Sequence, residues 1–356
     1  MNFYRACSRM LRRIRGQRFS DAVAKRFAFY AIALPIFSVL TGCVQLSLDD
    51  LGVASHDIPP TILVAMKAKG MKPESPVLIR IFKMESELEV WKVDNSGKYA
   101  LLKIYPICRW SGKLGPKTKT GDRQAPEGFY SVGLGRLNPK SEFYRSFNLG
   151  YPNKLESALG YSGEALMVHG ACSSSGCFAL TDQGIGEIYA IVEKALSSGQ
   201  RSFQVQSFPF RMTPQNLASH RDDPNLPFWR ILKQGYDIFE VRRMEPSVSF
   251  CGRRYVFNGK FEGGDPSQPL ATCPPSLAIA DAAVAAKSLA DDRQFDELSA
   301  QTYAALSYQD GGMHPSFRAL LKQNGDVKLA AKVSAIKYPV SRPTAALADP
   351  FPGTQQ

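Results

Sequence analysis

Residues 166–180 read L-M-V-H-G-A-C-S-S-S-G-C-F-A-L, and the rest of the chain is organised around this stretch. It begins with three apolar residues, as the end of a buried strand would, and places His169 before a loop of small polar residues that ends at Cys177. A thiol needs a base to become a thiolate near neutral pH, and an imidazole is the usual base. Gly176 lets backbone N–H groups come close to a developing oxyanion, so Ser175 and Gly176 are candidate oxyanion supports.

The residues alone leave three interpretations of His169 and Cys177 open: a catalytic pair, two core residues, or two ligands of a metal ion. The metal interpretation is weakened because the stretch has no C-x-x-C or H-x-x-H pair. Downstream, Thr181 and Asp182 form a natural N-cap for a helical pattern over 185–196. We therefore expect Cys177 to lie near the entry to a helix, where the positive end of the helix dipole would lower the thiol pKa.

The run H-G-A-C-S-S-S-G-C, from His169 to Cys177, resembles the active-site signature of the L,D-transpeptidase catalytic (YkuD) domain family, in its YafK-like branch. Further matching segments are G-K-L-G-P-K at 112–117, G-D-R-Q-A-P-E-G-F-Y at 121–130, L-N-P-K-S at 137–141 and N-L-G-Y-P-N at 148–153. The resemblance covers about residues 76–210. The chain departs from the wider family at Ser175, where most members have a second histidine, and Ser175 cannot do the work of an imidazole.

The resemblance implies a YkuD-type β-sandwich or barrel catalytic domain with Cys177 as nucleophile and His169 as base. It implies peptidoglycan stem peptides as the substrate, and neither a metal nor an organic cofactor. An outer-membrane protein or a lipoprotein is implied as a possible acyl acceptor or leaving group. The alternatives are a hydrolytic L,D-carboxypeptidase or amidase, which releases D-Ala or a lipoprotein, and a non-catalytic lipoprotein that binds the wall.

The first 42 residues are typical of an export signal, with a basic region followed by the apolar stretch 27–40, which is short for a membrane span. The stretch ends in L-T-G-C at 40–43, which resembles the bacterial lipobox, so we expect Cys43 to be lipidated and to begin the mature protein. An uncleaved anchor and simple cleavage near Gly42 are the alternatives. The prediction is an exported periplasmic protein of a Gram-negative bacterium, anchored to a membrane by lipid.

The net charge of +12 is concentrated at the N-terminus, since residues 1–42 hold eight of the 44 basic residues and one of the 32 acidic residues. The remaining 36 basic and 31 acidic residues leave a net charge of +5, which suits an anionic cell-wall environment. No basic run with interleaved aromatic residues appears in the body of the chain, so nucleic acid is not an expected partner.

Five of the seven cysteines follow Cys43. Cys177 is the candidate nucleophile, and Cys251 and Cys273 flank a glycine-rich turn region and could pair in an oxidising periplasm. Cys108 and Cys172 are expected either as buried free thiols or as a second pair.

Short apolar or alternating runs separated by Gly and Pro turns predict strands over 77–83, 88–93, 98–107, 128–134, 165–168 and 203–208. The first three should form an antiparallel meander, and 128–134 should lie at a sheet edge because Pro126 precedes it. Together with the helix at 185–196, they predict a mainly β fold with helices.

The segment 136–163 is longer than an ordinary connection and rich in aromatic residues, which fits either a functional lid or a loop whose aromatic side chains pack on the sheet. Four residues in and near this segment are candidates for binding the carboxylates of a substrate: Lys117, Arg123, Tyr144 and Arg145.

The predicted organisation is a signal over 1–42, a tether with a short helix over 43–75, the catalytic domain over 76–210, a helical extension over 211–338 and a disordered tail over 339–356. The helix of the tether is expected at 60–69. The extension carries the insert bracketed by Cys251 and Cys273, and the residues 220–223 (H-R-D-D) are typical of a solvated turn. Its role is not predicted by the sequence.

Overall fold

A computed structural model describes residues 56–261, 268–273, 276–277, 281–301, 305–335 and 351–352. All of them belong to one compact unit, Gln45–Gln356. The predicted signal, Cys43 and most of the tether lie outside the described residues, so those expectations remain predictions.

Two five-stranded sheets form the centre of this unit. The first sheet contains β1 (Val77–Phe82), β2 (Glu87–Val93), β3 (Tyr99–Pro106), β5 (Gly128–Gly133) and β10 (Ser202–Phe208). Its strand order is β3-β2-β1-β10-β5, with β1 parallel to β10 and every other pair antiparallel. The predicted meander β1-β2-β3 and the edge position of β5 are confirmed.

The second sheet carries the stretch with which the sequence analysis began. It contains β4 (Arg109–Trp110), β6 (Leu137–Ser141), β7 (Tyr144–Asn148), β8 (Met167–His169) and β9 (Phe178–Ala179). Its order is β4-β9-β8-β7-β6, and β8 and β9 run parallel. The chain therefore leaves β8 at His169 and returns as β9 immediately after Cys177.

The two sheets and one long helix share the main hydrophobic core. Phe147 of the second sheet packs edge-on against Phe203 of the first, with ring centroids 5.5 Å apart. The helix α3 (Asp182–Ser197) adds a row of fully buried residues to the same core, including Ile185, Ile188 and Ile191. The described residues thus form a β-rich fold with helices, as predicted, but neither sheet closes into a barrel among them.

Helices cover much of the remaining described chain: α1 (Pro60–Ala68), α2 (Lys154–Ala158), α4 (Pro214–Ser219), α5 (Leu226–Arg242), α6 (Ala282–Ser299) and α7 (Pro315–Val333). The short strands are β11 (Val248–Cys251), β12 (Arg254–Phe257), β13 (Lys260–Phe261), β14 (Ser276–Leu277), β15 (Leu306–Ser307) and β16 (Phe351–Pro352). Trp229 and Leu232 of α5 share a buried cluster with Phe82 and Phe208 of the first sheet. The predicted extension therefore packs directly on the sheet. Within the described residues, no helix is both long enough and apolar enough to cross a bilayer.

Two expectations differ from the structure. Segment 136–163 is not one long loop, because it contains β6, β7 and α2, and Phe147 and Tyr151 are buried in the core. His220 is not in a solvated turn: it is 6% exposed, stacks on Phe210 and donates from Nδ1 to the carbonyl oxygen of Asn216. Of the predicted disordered tail, the structure describes residues 351–352, which pair with β15.

Candidate active site

Parallel pairing of β8 and β9 sets the relative positions of His169 and Cys177. Val168 is the partner of Phe178, and His169 is the partner of Ala179. Partners in a ladder share a face of the sheet and successive residues alternate between faces. His169 therefore shares a face with Ala179, and Cys177 lies immediately before β9, where the chain enters the strand next to β8.

The surroundings of His169 fix its protonation state. The side chain is 4% exposed, and its ring lies 4.8 Å from the ring of Phe143. Burial lowers the pKa of His169 to about 4, so the imidazole is neutral at pH 7. Nδ1 lies 2.7 Å from the carbonyl oxygen of Gly170. Because a carbonyl only accepts, Nδ1 carries the proton of the neutral ring, and Nε2 keeps a lone pair that can take up a proton.

Cys177 is half-buried and is the only cysteine among the described residues that is not in a disulfide. Its Sγ accepts a hydrogen bond from the backbone N–H of Met167 at 3.3 Å and lies 3.9 Å from the carbonyl oxygen of Ala165. Burial raises the pKa of the thiol, and the Met167 N–H and the charge of Lys117 oppose that rise without reversing it.

The expectation of a thiol pKa lowered by a helix dipole is therefore wrong. The strand β9 separates Cys177 from α3, whose N-cap is Thr181, as predicted, with its side chain accepting from Gly184 N–H. The dipole of a helix acts mainly within its first turn, so at Cys177 desolvation outweighs it. No hydrogen bond joins Cys177 and His169 in the part of the chain that the structure describes, so a proton transfer between them would require a closer approach.

The loop between His169 and Cys177 is held by hydrogen bonds within the site. Ser174 Oγ accepts from the N–H groups of Gly176 and Cys177, at 3.3 and 3.1 Å, and donates to Cys177 O at 2.7 Å. Gly176 has φ +136°, a conformation that favours glycine, although a Cβ there would meet only ordinary contacts. Of the predicted oxyanion supports, Gly176 N–H is thus already engaged, whereas Ser175 N–H has no bonding partner among the described residues.

A disulfide and a carboxylate brace the other half of the loop. Cys172 is bonded to Cys108, so of the two expectations for these cysteines the second pair is what the structure contains. The Cys251–Cys273 bond is also present, as expected. Asp182 accepts Ala171 N–H at 2.8 Å. Ala171 and Cys172 both have left-handed backbone conformations, with φ of 63° and 55°, which non-glycine residues adopt at some cost and only when the surroundings hold them.

Lys117 and Arg123 lie on the loop between β4 and β5, but their surroundings differ. Lys117 is 4% exposed, and its ammonium bonds Asp122 Oδ1 at 2.5 Å and Lys119 O at 2.7 Å. Arg123 has a side chain that is 40% exposed and pairs with Asp310 at 3.1 Å.

Tyr144 and Arg145 are placed elsewhere. The Arg145 guanidinium contacts His56 Nδ1 and lies 4.7 Å over the ring of Tyr189 on α3. The ring centroid of Tyr144 lies 6.2 Å from that of His56. These contacts place Arg145 against α3 and both residues near His56, at the start of the described chain; their role as substrate ligands stays a prediction.

Sequence reasoning missed a buried ion pair beneath the 112–128 loop. Lys83 Nζ bonds Glu127 Oε1 at 2.8 Å, and both side chains are fully buried. Lys83 also donates to the carbonyl oxygens of Gly115 and Ala125, and Glu127 accepts from Gly115 N–H and Trp229 Nε1. No pattern along the chain links these residues. The one signal in the sequence was Glu127, which stands between Pro126 and Gly128 in the segment 121–130 that resembles the family. Among the described residues, no group of three His, Cys, Asp or Glu side chains is placed to hold a metal ion.

Comparison with known proteins identifies relatives that share extended sequence identity. No family model matches the chain. Over 225 residues, the chain is 45% identical to the protein named "Putative L,D-transpeptidase YafK" of Escherichia coli (strain K12), covering 63% of this chain and 89% of that protein. The protein of the same name from Escherichia coli O157:H7 matches with the same identity and coverage.

Two solved structures show weaker similarity. Both are of the helical cell shape determining protein Pgp2 from Campylobacter jejuni, one of them a point mutant, and both align with a TM-score of 0.31. The mutant is 22% identical, and the alignment covers 42% of this chain and 56% of the mutant chain. The other structure is 19% identical, and the alignment covers 53% of this chain and 80% of the Pgp2 chain. Similarity at this level carries no inference about function. The extended identity to the two Escherichia coli proteins shows the family: this chain belongs to the L,D-transpeptidase family, in its YafK-like branch.

Proposed function

We propose that this chain is an exported cysteine acyl-transfer enzyme that acts on peptidoglycan stem peptides, with Cys177 as nucleophile and His169 as general base. One observation carries the proposal: the free cysteine Cys177 immediately precedes β9, and the buried His169 ends β8, the adjacent parallel strand. Membership of the L,D-transpeptidase family supports the substrate class.

In the proposed first half-reaction, His169 Nε2 takes the proton of the Cys177 thiol, and Sγ attacks the carbonyl carbon of the residue with the L-centre, meso-diaminopimelate by family analogy. The resulting oxyanion is held by backbone N–H groups, for which Ser175 N–H is available and Gly176 N–H must leave Ser174 Oγ. Collapse breaks the C–N bond, the imidazolium gives its proton to the leaving amine, and a thioester remains on Cys177.

The second half-reaction decides the class of enzyme. An acceptor amine attacks the thioester, loses its proton to His169 and forms a new amide, while the thiol is regenerated. The acceptor is a second stem peptide, which gives a cross-link, or an outer-membrane protein or lipoprotein, which becomes attached to the wall. When water is the acceptor, the product is a free carboxylate, and the enzyme is an L,D-carboxypeptidase or an amidase that releases D-Ala or a bound lipoprotein.

The burial of Cys177 and His169 suggests why the reaction would start only after substrate binds. Burial disfavours the thiolate and the imidazolium when each stands alone, but formation of both together gives an ion pair that offsets part of this cost. We expect the charged pair to form only when substrate has excluded water and brought Sγ and Nε2 together. The four candidate substrate ligands of this proposal are Lys117, Arg123, Tyr144 and Arg145.

Muropeptide analysis of products tests the function directly. Purified protein is incubated with tetrapeptide-bearing peptidoglycan, with and without an added amine acceptor. Acceptor-dependent cross-links identify a transpeptidase, and shortened peptides in both reactions identify a hydrolase. Cys177→Ala should abolish either product. A wild-type protein that binds peptidoglycan yet yields neither product supports the non-catalytic alternative and rejects the enzyme proposal.

We also propose that the protein is held at a membrane in the periplasm by lipid on Cys43. A single acyl chain gives only marginal binding, and stable attachment needs two or more, which a bacterial lipoprotein cysteine supplies by family analogy. Cys43→Ser should move the protein from the membrane pellet to the soluble periplasm and remove a metabolically incorporated fatty acid. A wild-type protein that is already soluble, with a mature N-terminus other than Cys43, contradicts the anchor and leaves the catalytic proposal intact.

A further inference from the structure

A short segment of the C-terminal extension reaches the sheet that carries the active site. Gly312 forms an antiparallel bridge with Trp110 of β4, with both backbone hydrogen bonds at 3.1 Å. The strand β4 pairs with β9, which begins immediately after Cys177. At Gly311, φ is +82° and a Cβ would lie 1.8 Å from Trp110 O, so this close approach requires glycine.

Asp310, which precedes the two glycines of this approach, makes three contacts with residues 109–123. Its Oδ1 accepts Gly112 N–H at 3.2 Å, its Oδ2 lies 3.1 Å from Arg123 Nη2, and its carbonyl oxygen accepts from Arg109 Nη2 at 2.9 Å. The Asp310 side chain is only 18% exposed, so its charge pairing with Arg123 is partly shielded from water. A residue far along the chain therefore holds both the backbone and a cationic side chain of the loop.

A short chain of contacts connects this loop to the nucleophile. Ser111 Oγ donates to the backbone carbonyl of Arg123 at 2.8 Å and lies 3.2 Å from Ser174 Oγ. Ser174 in turn bonds the N–H groups of Gly176 and Cys177. The backbone of Arg123 is thus linked to that of Cys177 through two serine hydroxyl groups.

The two cations of the loop differ in how far their side chains are exposed to solvent. Lys117 is buried and committed to Asp122, whereas the side chain of Arg123 is 40% exposed although one of its nitrogens is held by Asp310. A guanidinium has five N–H donors in a planar fork that fits carboxylates in a bidentate manner. The Asp310 contact therefore orients a guanidinium that solvent, and hence a ligand, can reach, and the backbone of the same residue is linked to the Cys177 loop.

We propose that Asp310 is a positioning residue that orients Arg123 to bind a carboxylate of the substrate next to Cys177. This inference rests on the proposed function for the identity of the substrate, a stem peptide with a free carboxylate. It assigns a role to the C-terminal extension: the extension supplies a part of the substrate-binding site that residues 76–210 alone lack.

The test compares Asp310→Asn with Arg123→Gln. Asp310→Asn keeps an oxygen acceptor for Gly112 N–H and removes the charge that pairs with Arg123. Its matched control is Asp222→Asn, an acidic residue of the extension whose side chain is 73% exposed and pairs with Arg221 at 3.6 Å. The probes are a tetrapeptide stem ending in D-Ala and versions of it in which each carboxylate is amidated in turn. Thermal unfolding and the alkylation rate of Cys177 by iodoacetamide establish that each variant is folded.

We expect Asp310→Asn to raise KM for the unmodified peptide by about tenfold, the loss of one charge-assisted contact, with kcat within about twofold of wild type. Arg123→Gln should raise KM similarly, and the double variant should be no worse than Arg123→Gln alone. One of the amidated peptides should be insensitive to both substitutions, while Asp222→Asn should match wild type on every peptide. An unchanged KM in Asp310→Asn, a loss confined to kcat, or an equal loss on every amidated peptide overturns the proposal.

A binding measurement separates this inference from the proposed function. Calorimetric titration of the same peptides into Cys177→Ala requires no turnover. Weaker binding of the unmodified peptide when Asp310→Asn is added to Cys177→Ala supports the role of Asp310 even if wild type proves to have a different second half-reaction. Equal binding with and without Asp310→Asn rejects that role even if wild type is an active transpeptidase.

Discussion

Replacing His169 with glutamine tests the charge state of the proposed base without any assumption about substrate. Burial lowers the pKa of His169 from 6.5 to about 4. Between these two values the unfolded chain binds the proton and the folded chain does not, so wild-type stability falls as the pH falls through this window. The interval of about 2.5 pH units corresponds to roughly 3 kcal/mol of unfolding free energy; none of it is lost above pH 6.5, and the loss is complete below about pH 4.

His169→Gln removes this titration, because glutamine has no proton to gain in that range. The unfolding free energy of wild type minus that of the variant should therefore fall by roughly 3 kcal/mol between pH 7 and pH 4. Urea denaturation of both proteins at half-unit pH steps gives this difference. Glu85 and Glu156, whose pKa burial raises to about 7, act in the opposite sense and reduce stability as the pH rises from 4.5 to 7. They are present in both proteins and cancel in the difference.

His220→Gln, in which a different buried ring is lost, reports at pH 7 how much stability the loss of packing alone removes. A difference between wild type and His169→Gln that does not change with pH would show that His169 titrates normally in the fold. That result would refute the lowered pKa of the buried His169. The same variant should slow thioester formation by roughly 10²–10⁴-fold at pH 7, as loss of a general base does.

Three further predictions concern the contacts that brace the site. Cys172→Ala breaks a disulfide between residues 64 positions apart and should lower the unfolding free energy by about 4 kcal/mol on the chain-entropy model. Urea denaturation of the variant and of wild type measures this. If the difference in unfolding free energy between the two persists in full under reducing conditions, the prediction is contradicted. Lys83→Met leaves the Glu127 carboxylate buried without its cation and should cost roughly 3–5 kcal/mol, with part recovered in Lys83→Met/Glu127→Gln; equal stability of the single variant and wild type in the same assay contradicts this. Gly311→Ala should displace the Asp310 segment from β4, seen as faster amide exchange at Gly112 and Trp110, whereas unchanged exchange there means that the backbone accommodates the methyl group.

Local sequence patterns predicted those strands and caps that depend only on residues close to them along the chain. The apolar run of β1, the alternating runs of β2 and β3, the Thr181 N-cap of α3 and the edge position of β5 all depend on neighbours along the chain. The strands β6 and β7 were not predicted, because Asn, Pro and Lys interrupt the first and the second has only five residues. Pairing within the second sheet, where β7 joins β6 to β8, supplies the stability that their own sequence lacks.

Long-range contacts account for the other differences. His220 has three charged neighbours in sequence, but Phe210 and Trp229 contact it in space. The pKa of Cys177 depends on its burial, which the order of residues around it does not reveal. Asp310 reaches Arg123 only because the extension folds back onto β4. The motif from His169 to Cys177 marked the candidate chemistry, whereas several residues that hold it in place come from distant parts of the chain.

The most direct test of the account is the mass of the intact protein during turnover. Wild type mixed with a stem tetrapeptide and quenched in acid should gain the mass of the peptide minus D-Ala, on the proteolytic fragment that contains Cys177. Hydroxylamine should remove this mass, as it does for a thioester, and Cys177→Ala should never acquire it. Turnover without any adduct on Cys177, or an adduct on another residue that persists in Cys177→Ala, contradicts the account.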